Sequence, residues 1–79
     1  MKVRVKLFAT LRQYLPPGAQ GSTCQVEVPP GTQVRDLLAR YGVPERDSPV
    51  ILVNGRDAAP DQILQKDDTV AVFPALAGG

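Results

Sequence analysis

The most reactive group of this chain lies at its end. The sequence closes with Gly78-Gly79, and Gly79 carries a terminal carboxylate. Such a group has a pKa of about 3.5 and is ionised at neutral pH, so it can attack the α-phosphate of a nucleotide and acquire a good leaving group. Glycines without a Cβ let the backbone enter a narrow channel of another protein. The predicted chemistry is activation of a carboxylate inside a partner's site.

Side-chain chemistry elsewhere in the chain is limited by composition. The sequence has no His and one Cys, so it cannot assemble the usual zinc sites or a Ser-His-Asp or Cys-His catalytic set. No Gly-x-x-x-x-Gly-Lys-Ser/Thr loop is present to bind a nucleotide. We expect no metal site, and the carboxylate of Gly79 remains the candidate reactive group. Cys24 alternates with Val26 and Val28, which predicts a buried structural thiol.

The length and the net charge of the chain limit the class of protein to which it can belong. Seventy-nine residues make one small domain, and nine basic against eight acidic residues give a net charge of +1. This balance offers no general electrostatic attraction to nucleic acid or to an anionic membrane. No apolar run is long enough to span a bilayer, and Lys2, Arg4 and Lys6 interrupt the apolar start. We expect a cytoplasmic protein that binds neither nucleic acid nor membrane.

Two strands and a helix are predicted in the first half. Alternation over Lys2–Phe8 places Val3, Val5 and Leu7 on one face and Lys2, Arg4, Lys6 and Phe8 on the other, and residues 23–28 alternate in the same way. Residues 10–15 predict a short helical turn. An amphipathic helix of nine or ten residues follows, with Thr32 as its N-cap and Gly42 just past its end. Its apolar stripe comprises Val34, Leu37, Leu38 and Tyr41.

The second half predicts a hairpin and a closing strand. The apolar run at residues 50–53 is a strand with both faces partly covered, and Asn54-Gly55 favours a type I′ turn into a short return at 56–58. Residues 61–64 predict one helical turn. Residues 69–73 form the last strand, which Pro74 ends because proline cannot donate to a ladder. Periodicity alone therefore predicts an α+β domain.

The chain resembles the sulfur-carrier branch of ubiquitin-like proteins, which includes molybdopterin-synthase small subunits and thiamine-pathway sulfur carriers. The resemblance covers nearly the whole chain and rests on residues 3–11, Val53-Asn54-Gly55, residues 66–70, and Phe73-Pro74 followed five residues later by Gly78-Gly79. It implies a β-grasp (ubiquitin-like) fold at residues 1–74. The implied fold is a mixed sheet of four to five strands with one main helix on one face, its last strand parallel and next to its first. Residues 75–79 would be a flexible tail.

The resemblance also implies a function. In such carriers an E1-like enzyme uses ATP to adenylate the terminal glycine, here Gly79, while Gly78 gives the tail access to the enzyme. A cysteine desulfurase or rhodanese-like donor then converts the adenylate to a thiocarboxylate. The sulfur is passed on in molybdenum cofactor biosynthesis through the synthase large subunit. The chain itself would bind no cofactor and would not be a catalyst alone.

A partner-binding surface is implied by the same resemblance. With the first and last strands adjacent, Phe8, Ala71 and Phe73 are expected to form an exposed apolar patch edged by basic residues. The resemblance gives Phe8 and Phe73 contacts with the activating enzyme and the synthase, and we add Pro74 and Leu76 to this set. Core packing of the two phenylalanines is the alternative. Just after Asn54-Gly55, where the family has an apolar contact, this chain has Arg56-Asp57.

Three other functions remain open from the sequence. One is a thiamine-pathway sulfur carrier. Another is a ubiquitin-like modifier that forms isopeptide bonds through Gly79, and the third is a β-grasp interaction module whose end is inert.

Overall fold

The computed structural model describes residues 1–15, 23–43 and 49–74. In this part of the chain, five strands form one sheet: β1 (Lys2–Leu7), β2 (Thr23–Glu27), β3 (Val50–Val53), β4 (Arg56–Asp57) and β5 (Thr69–Phe73). One α-helix, α1 (Val34–Tyr41), and one 3₁₀ helix (Ala9–Tyr14) accompany them. The strand order is β2-β1-β5-β3-β4.

The first and last strands pair at the centre of the sheet. β1 and β5 are parallel, with Val5 opposite Val70 and Leu7 opposite Val72, whereas the other neighbouring strands are antiparallel. A parallel pair needs a crossover, and α1 lies in the connection between the two halves. The β-grasp prediction is confirmed, with five strands in the described part of the sheet.

The core lies between α1 and one face of the sheet. Val3, Val5 and Leu7 alternate with exposed or half-buried residues along β1, so one face of this strand is buried. Fully burying an aliphatic side chain contributes about 1.5–3 kcal/mol, which makes this layer the main source of stability. The helix contributes Val34, Leu37 and Leu38 to the same cluster, which also includes buried residues of β2, β3 and β5 and Leu64.

The helix begins one residue later than predicted, and Thr32 is not its N-cap. The Thr32 hydroxyl donates to the carbonyl of Pro29 at 2.7 Å and is occupied in the preceding turn. Gln33 is the N-cap, and its backbone N–H donates to the Asp36 carboxylate at 2.9 Å. The helix therefore has eight residues rather than nine or ten. Its predicted end is confirmed, because Gly42 adopts the left-handed conformation with φ of 76°.

The helical turn predicted at residues 61–64 is wrong. Ile63 instead forms an isolated antiparallel bridge with Gln33. The N–H of Val34 donates to the carbonyl of Gln62 at 2.9 Å, and that of Leu64 donates to Thr32 at 2.8 Å. The carbonyls of Pro60 and Gln62 therefore accept from backbone donors at the start of α1 that have no partner within the helix. A helical pattern in the local sequence cannot reveal this pairing.

The β3–β4 hairpin is joined to β5 by side-chain hydrogen bonds. Asn54 and Gly55 have φ of 53° and 84°, as the predicted type I′ turn requires. The Asn54 amide donates to the Asp68 carboxylate at 2.8 Å and accepts from the N–H of Thr69 at 2.9 Å. Asp68 is 8% exposed and also accepts from the N–H of Gln65 at 2.7 Å. The two amide contacts hold the turn against the start of β5.

Substituting Asn54→Gly tests these contacts. Glycine keeps the positive φ but removes both hydrogen bonds and leaves Asp68 short of a donor. We expect the free energy of unfolding to fall by about 1–3 kcal/mol in urea titrations followed by circular dichroism. Arg56→Ala, an exposed neighbour in the same hairpin, is the control and should change it by less than about 0.5 kcal/mol. Equal effects of the two variants would contradict the assigned role of the amide.

Candidate functional site

Two phenylalanines stack where the chain leaves the sheet. Phe8 follows β1 and Phe73 ends β5, and the parallel pairing of these strands brings the two rings side by side. The N–H of Phe8 donates to the carbonyl of Val72 at 3.1 Å, which extends the pairing by one residue. The ring centroids are 4.5 Å apart and the ring planes differ by 5°. Both rings are partly exposed, so they are not ordinary core residues.

The stacked pair belongs to a larger apolar surface on the sheet face opposite α1. Val50 pairs with Phe73 and Leu52 pairs with Ala71, which places these side chains on the same side. Val50 is 47% exposed, and the others are partly exposed. We call Phe8, Val50, Leu52, Ala71 and Phe73 the outer apolar surface. An exposed apolar surface of this kind commonly marks a protein contact.

The sequence indicated only part of this surface. The structure places Phe8, Ala71 and Phe73 together as expected, whereas Val50 and Leu52 were not predicted to belong to it. The continuous apolar run of β3 suggested cover on both faces, but in the described part of the chain α1 covers only the inner one. The antiparallel pairing of β3 with β5 is the information that was lacking.

A row of cations borders the outer apolar surface. Lys2, Arg4 and Lys6 alternate with the buried residues of β1 and therefore lie on the same outer face. Lys2 and Arg4 are exposed, and Lys6 is partly buried. We call these three residues the basic row. It lies next to β5 because β1 and β5 are neighbours.

Of the residues predicted to act at the end of the chain, Pro74 lies in the described part of the structure. Pro74 is partly buried and directly follows Phe73, so the chain leaves β5 beside the outer apolar surface. Leu76, Gly78 and Gly79 lie outside the described residues. Their roles, and the roles of Phe8, Phe73 and Pro74 in partner binding, stay predictions.

Cys24 is not the buried thiol that the alternation predicted. It lies opposite Val5 on the inner face, but it is only partly buried because β2 is an edge strand. Its Sγ is 3.7 Å from the Tyr41 hydroxyl oxygen, within hydrogen-bonding distance. Burial, reinforced by this hydrogen bond, raises the pKa of Tyr41 to about 12. Both side chains line an open depression of about 430 Å³ together with Tyr14, Gln25, Val26 and Arg40.

Two negative findings concern residues 1–15, 23–43 and 49–74. No three His, Cys, Asp or Glu side chains in these ranges lie close enough to hold a metal ion. None of the helices in the same ranges has the length and hydropathy needed to cross a bilayer.

Within the described ranges, the central parallel pair, the single covering α-helix and the chain exit beside the sheet define a ubiquitin-like protein. The chain belongs to the Mut7-C ubiquitin family, whose model matches residues 1–78. No curated protein matches the sequence at a significant level. The family match and the solved structures below confirm the resemblance to ubiquitin-like sulfur carriers of the molybdopterin type.

The similar solved structures include proteins named as molybdopterin converting factors and proteins named as small archaeal modifiers. A Pyrococcus furiosus protein assigned as molybdopterin converting factor subunit 1 is 32% identical, with 95% of this chain and 98% of that chain covered and a TM-score of 0.71. Haloferax volcanii SAMP1 is 26% identical over 100% of both chains, with a TM-score of 0.72. The complex of molybdopterin-converting factor subunits 1 and 2 from Helicobacter pylori is 18% identical over 100% of both chains, with a TM-score of 0.59, and supports the fold alone.

Phe8→Ala separates a surface role from a core role. Because Phe8 is partly exposed, its replacement should lower the free energy of unfolding by about 1–2.5 kcal/mol, the aromatic-pair contribution plus the apolar area that the ring removes from water. Leu38→Ala in the buried cluster is the matched comparison and should cost about 2–5 kcal/mol. Urea denaturation measures both. A loss for Phe8→Ala as large as that for Leu38→Ala would place Phe8 in the core.

The pKa of Tyr41 predicts how stability changes at high pH. In the unfolded chain tyrosine titrates near 10, whereas folded Tyr41 titrates at about 12. Above pH 10 the unfolded state loses a proton that the folded state keeps, so the free energy of unfolding should fall between pH 10 and 12. Below pH 10 both states keep this proton, so the contribution of Tyr41 to the free energy of unfolding is fully present.

Tyrosinate absorbance in a Tyr14→Phe background reports Tyr41 alone, since the chain has two tyrosines. Adding Cys24→Ala should lower the pKa of Tyr41 but leave it above its ordinary value, because burial is the larger cause. Titration of Tyr41 at its ordinary value in the background protein would contradict the assigned environment.

Proposed function

We propose that this protein is a sulfur carrier of molybdenum cofactor biosynthesis, working in the cytoplasm. A Pyrococcus furiosus protein assigned as molybdopterin converting factor subunit 1 supports this proposal, at 32% identity over 95% of this chain. The sequence ends in Gly78-Gly79, and in the proposed function the carboxylate of Gly79 becomes the thiocarboxylate that donates sulfur.

The exit of the chain beside the outer apolar surface is the observation that best supports this proposal. β5 runs through the sheet centre and ends at Phe73, whose ring is stacked on Phe8. A partner that docks on this surface therefore receives the following segment at the same edge. Five residues separate Pro74 from the end of the chain, a covalent span of at most about 18 Å. That reach lets a docked enzyme act on Gly79 inside its own site.

The proposed chemistry uses the carboxylate of this chain and reagents held by partners. The Gly79 carboxylate attacks the α-phosphate of ATP in an E1-like activating enzyme, and pyrophosphate leaves. A persulfide of a cysteine desulfurase or rhodanese-like donor displaces AMP from the acyl adenylate. A second thiol then releases the thiocarboxylate by forming a disulfide with the donor. Exclusion of water in the partner's closed site protects the adenylate from hydrolysis.

The proposed acceptor complex includes a synthase large subunit. The Helicobacter pylori neighbour is a complex of subunits 1 and 2 of a molybdopterin-converting factor, and this chain has the fold of one of its members. In the proposal, the outer apolar surface contacts the large subunit while residues 75–79 enter its site. The carrier thus acts as the sulfur-donating small subunit and binds no cofactor of its own.

A protein modifier is the second candidate. Haloferax volcanii small archaeal modifier protein 1 matches with a TM-score of 0.72 at 27% identity. In that function the same activated Gly79 would form an isopeptide bond with a lysine of a target protein. Activation is common to both functions, so the acceptor distinguishes them. The thiamine-pathway carrier remains an alternative.

Intact mass spectrometry tests the proposal. Purified protein is first weighed to verify that the mature chain ends at Gly79, and is then incubated with ATP, an activating enzyme of the source organism and a sulfur donor. We expect a mass increase equal to one oxygen replaced by one sulfur. Deleting Gly79 should abolish this increase, whereas Arg35→Gln, an exposed change on the helix, should retain it.

The outcomes separate the candidates. Lysine conjugates without thiocarboxylate would favour the modifier. The absence of both adenylate and thiocarboxylate with every activating enzyme of the organism would exclude the proposed function.

A further inference from the structure

Asn54 is the only asparagine of the sequence, and a glycine follows it. An asparagine side chain before glycine is open to attack by the next backbone nitrogen, because glycine has no Cβ to hinder the approach. Both residues are exposed, and no atom of the described residues lies within 4 Å of the place that a Cβ of residue 55 would take. Water can therefore reach this turn, and only the local conformation protects the amide.

The folded hairpin holds the amide of Asn54 in a geometry that prevents this attack. Its Nδ2 donates to the Asp68 carboxylate at 2.8 Å, and its Oδ1 accepts from the N–H of Thr69 at 2.9 Å. The backbone N–H of Asn54 also donates to the carbonyl of Thr69 at 2.8 Å. The first central residue of a type I′ turn has ψ of about 30°, which turns the following nitrogen away from the Cβ. A ring between the nitrogen of Gly55 and the side chain of Asn54 can therefore close only after the turn opens.

We propose that Asn54 is a site of hydrolytic deamidation, and that its hydrogen bonds to Asp68 and Thr69 set the rate by controlling how often the β3–β4 hairpin opens. In the open hairpin the nitrogen of Gly55 attacks the side-chain carbonyl carbon of Asn54. The bond from this carbon to Nδ2 breaks, and Nδ2 leaves as ammonia with the proton of the attacking N–H. Water then opens the cyclic imide and leaves aspartate or isoaspartate at position 54.

The product of this reaction conflicts with its former partner. Deamidation replaces the Nδ2 donor by a carboxylate oxygen, which then faces the Asp68 oxygen that Nδ2 approached at 2.8 Å. Asp68 is 8% exposed, so little water screens the two like charges. The isoaspartate form also adds a main-chain carbon between β3 and β4, which disturbs the turn that sets their register. Modification thus weakens the contacts that keep the hairpin closed, and it lowers the net charge of the chain from +1 to 0.

Mass spectrometry of the intact protein, incubated in mildly alkaline buffer, measures the reaction. Glutamine deamidates far more slowly because it must form a six-membered ring, so the exchange of NH₂ for OH reports Asn54. Trypsin, which cleaves after Arg46 and Arg56, releases residues 47–56, and isoaspartyl methyltransferase labels the isoaspartate in this peptide. The same chain unfolded in urea gives the rate of the unprotected amide. We expect the folded chain to react at least about 10-fold more slowly.

Asp68→Ala tests the role of the hydrogen bonds. It frees Nδ2 and should raise the rate in the folded chain roughly 5- to 30-fold, the change in open population on losing a hydrogen bond to a charged group. The rate in urea should not change. Asp57→Ala is the matched control, because it removes the same charge from an exposed position of the same hairpin. It should change both rates by less than about 2-fold.

The unaltered protein provides a second measurement that does not depend on the folding of a variant. Urea at concentrations below the unfolding transition should raise its deamidation rate with a shallower slope than that of global unfolding, because opening of the hairpin exposes less surface.

A double-mutant cycle tests the conflict between the two carboxylates. Asn54→Asp reproduces the aspartate product and should raise the equilibrium constant of unfolding roughly 5- to 30-fold at neutral pH when Asp68 is present. In an Asp68→Ala background the same substitution should raise it by less than about 3-fold, because the like charge is gone.

Each result supports or overturns the proposal. A protected folded chain that Asp68→Ala accelerates more than Asp57→Ala supports it. Equal rates in folded and urea-unfolded protein, or no reaction in either, overturn it. Equal acceleration by the two variants, or a urea slope equal to that of global unfolding, overturns control by the hairpin, and the slope decides alone where Asp68→Ala does not fold. An equal cost of Asn54→Asp in both backgrounds overturns the conflict with Asp68.

Discussion

The parallel pairing of β1 with β5 is the interaction on which the rest of this structure depends. It places the two ends of the domain side by side at the centre of the sheet, with Val5 opposite Val70 and Leu7 opposite Val72 in the buried face. The same register brings Phe8 next to Phe73 and sets the basic row beside the apolar strands. A shift by one residue would reverse the faces of β5, burying Phe73 and exposing Val72, because side chains alternate along a strand. Core stability and the outer apolar surface therefore depend on one register.

In the part of the chain that the structure describes, one covering helix gives the sheet two different faces. The inner face is closed by α1, while the outer face keeps apolar side chains partly exposed between the basic row and Asp57. A small domain buries a modest share of its surface, so apolar area that remains exposed is best explained by a contact with another molecule. The hairpin is held in position by the bonds of Asn54 to Asp68 and Thr69, which keep β3 aligned with β5. These hydrogen bonds therefore stabilise the position of β3, which contributes Val50 and Leu52 to the outer apolar surface.

The proposed division of tasks follows from this layout. In the proposed function, the folded part provides the docking surface, and the reagents for activation and sulfur transfer come from other proteins. Relatives described as a molybdopterin converting factor subunit and as SAMP1 share the fold at similar TM-scores of 0.71 and 0.72. The acceptor, rather than the fold, separates a carrier from a modifier, because both functions begin with activation of the same carboxylate.

The sequence by itself determined the elements and the candidate reactive end. Local alternation, the Asn54-Gly55 turn and the Gly42 terminus identified four strand regions and one helix, and the resemblance supplied their arrangement. The sequence could not reveal that the Thr32 hydroxyl bonds within the preceding turn, that Ile63 pairs with Gln33, or that Cys24 remains partly exposed at the sheet edge. The Ile63 bridge and the exposure of Cys24 depend on segments distant in the sequence. The Thr32 hydroxyl instead donates to Pro29, three residues earlier, in a local hydrogen bond that competes with N-capping. The tertiary structure alone decided that Val50 and Leu52 join Phe8 and Phe73 on one face and that neutral residues flank Arg4 and Lys6, because strand order and register are set by packing between segments and are not encoded in any local period.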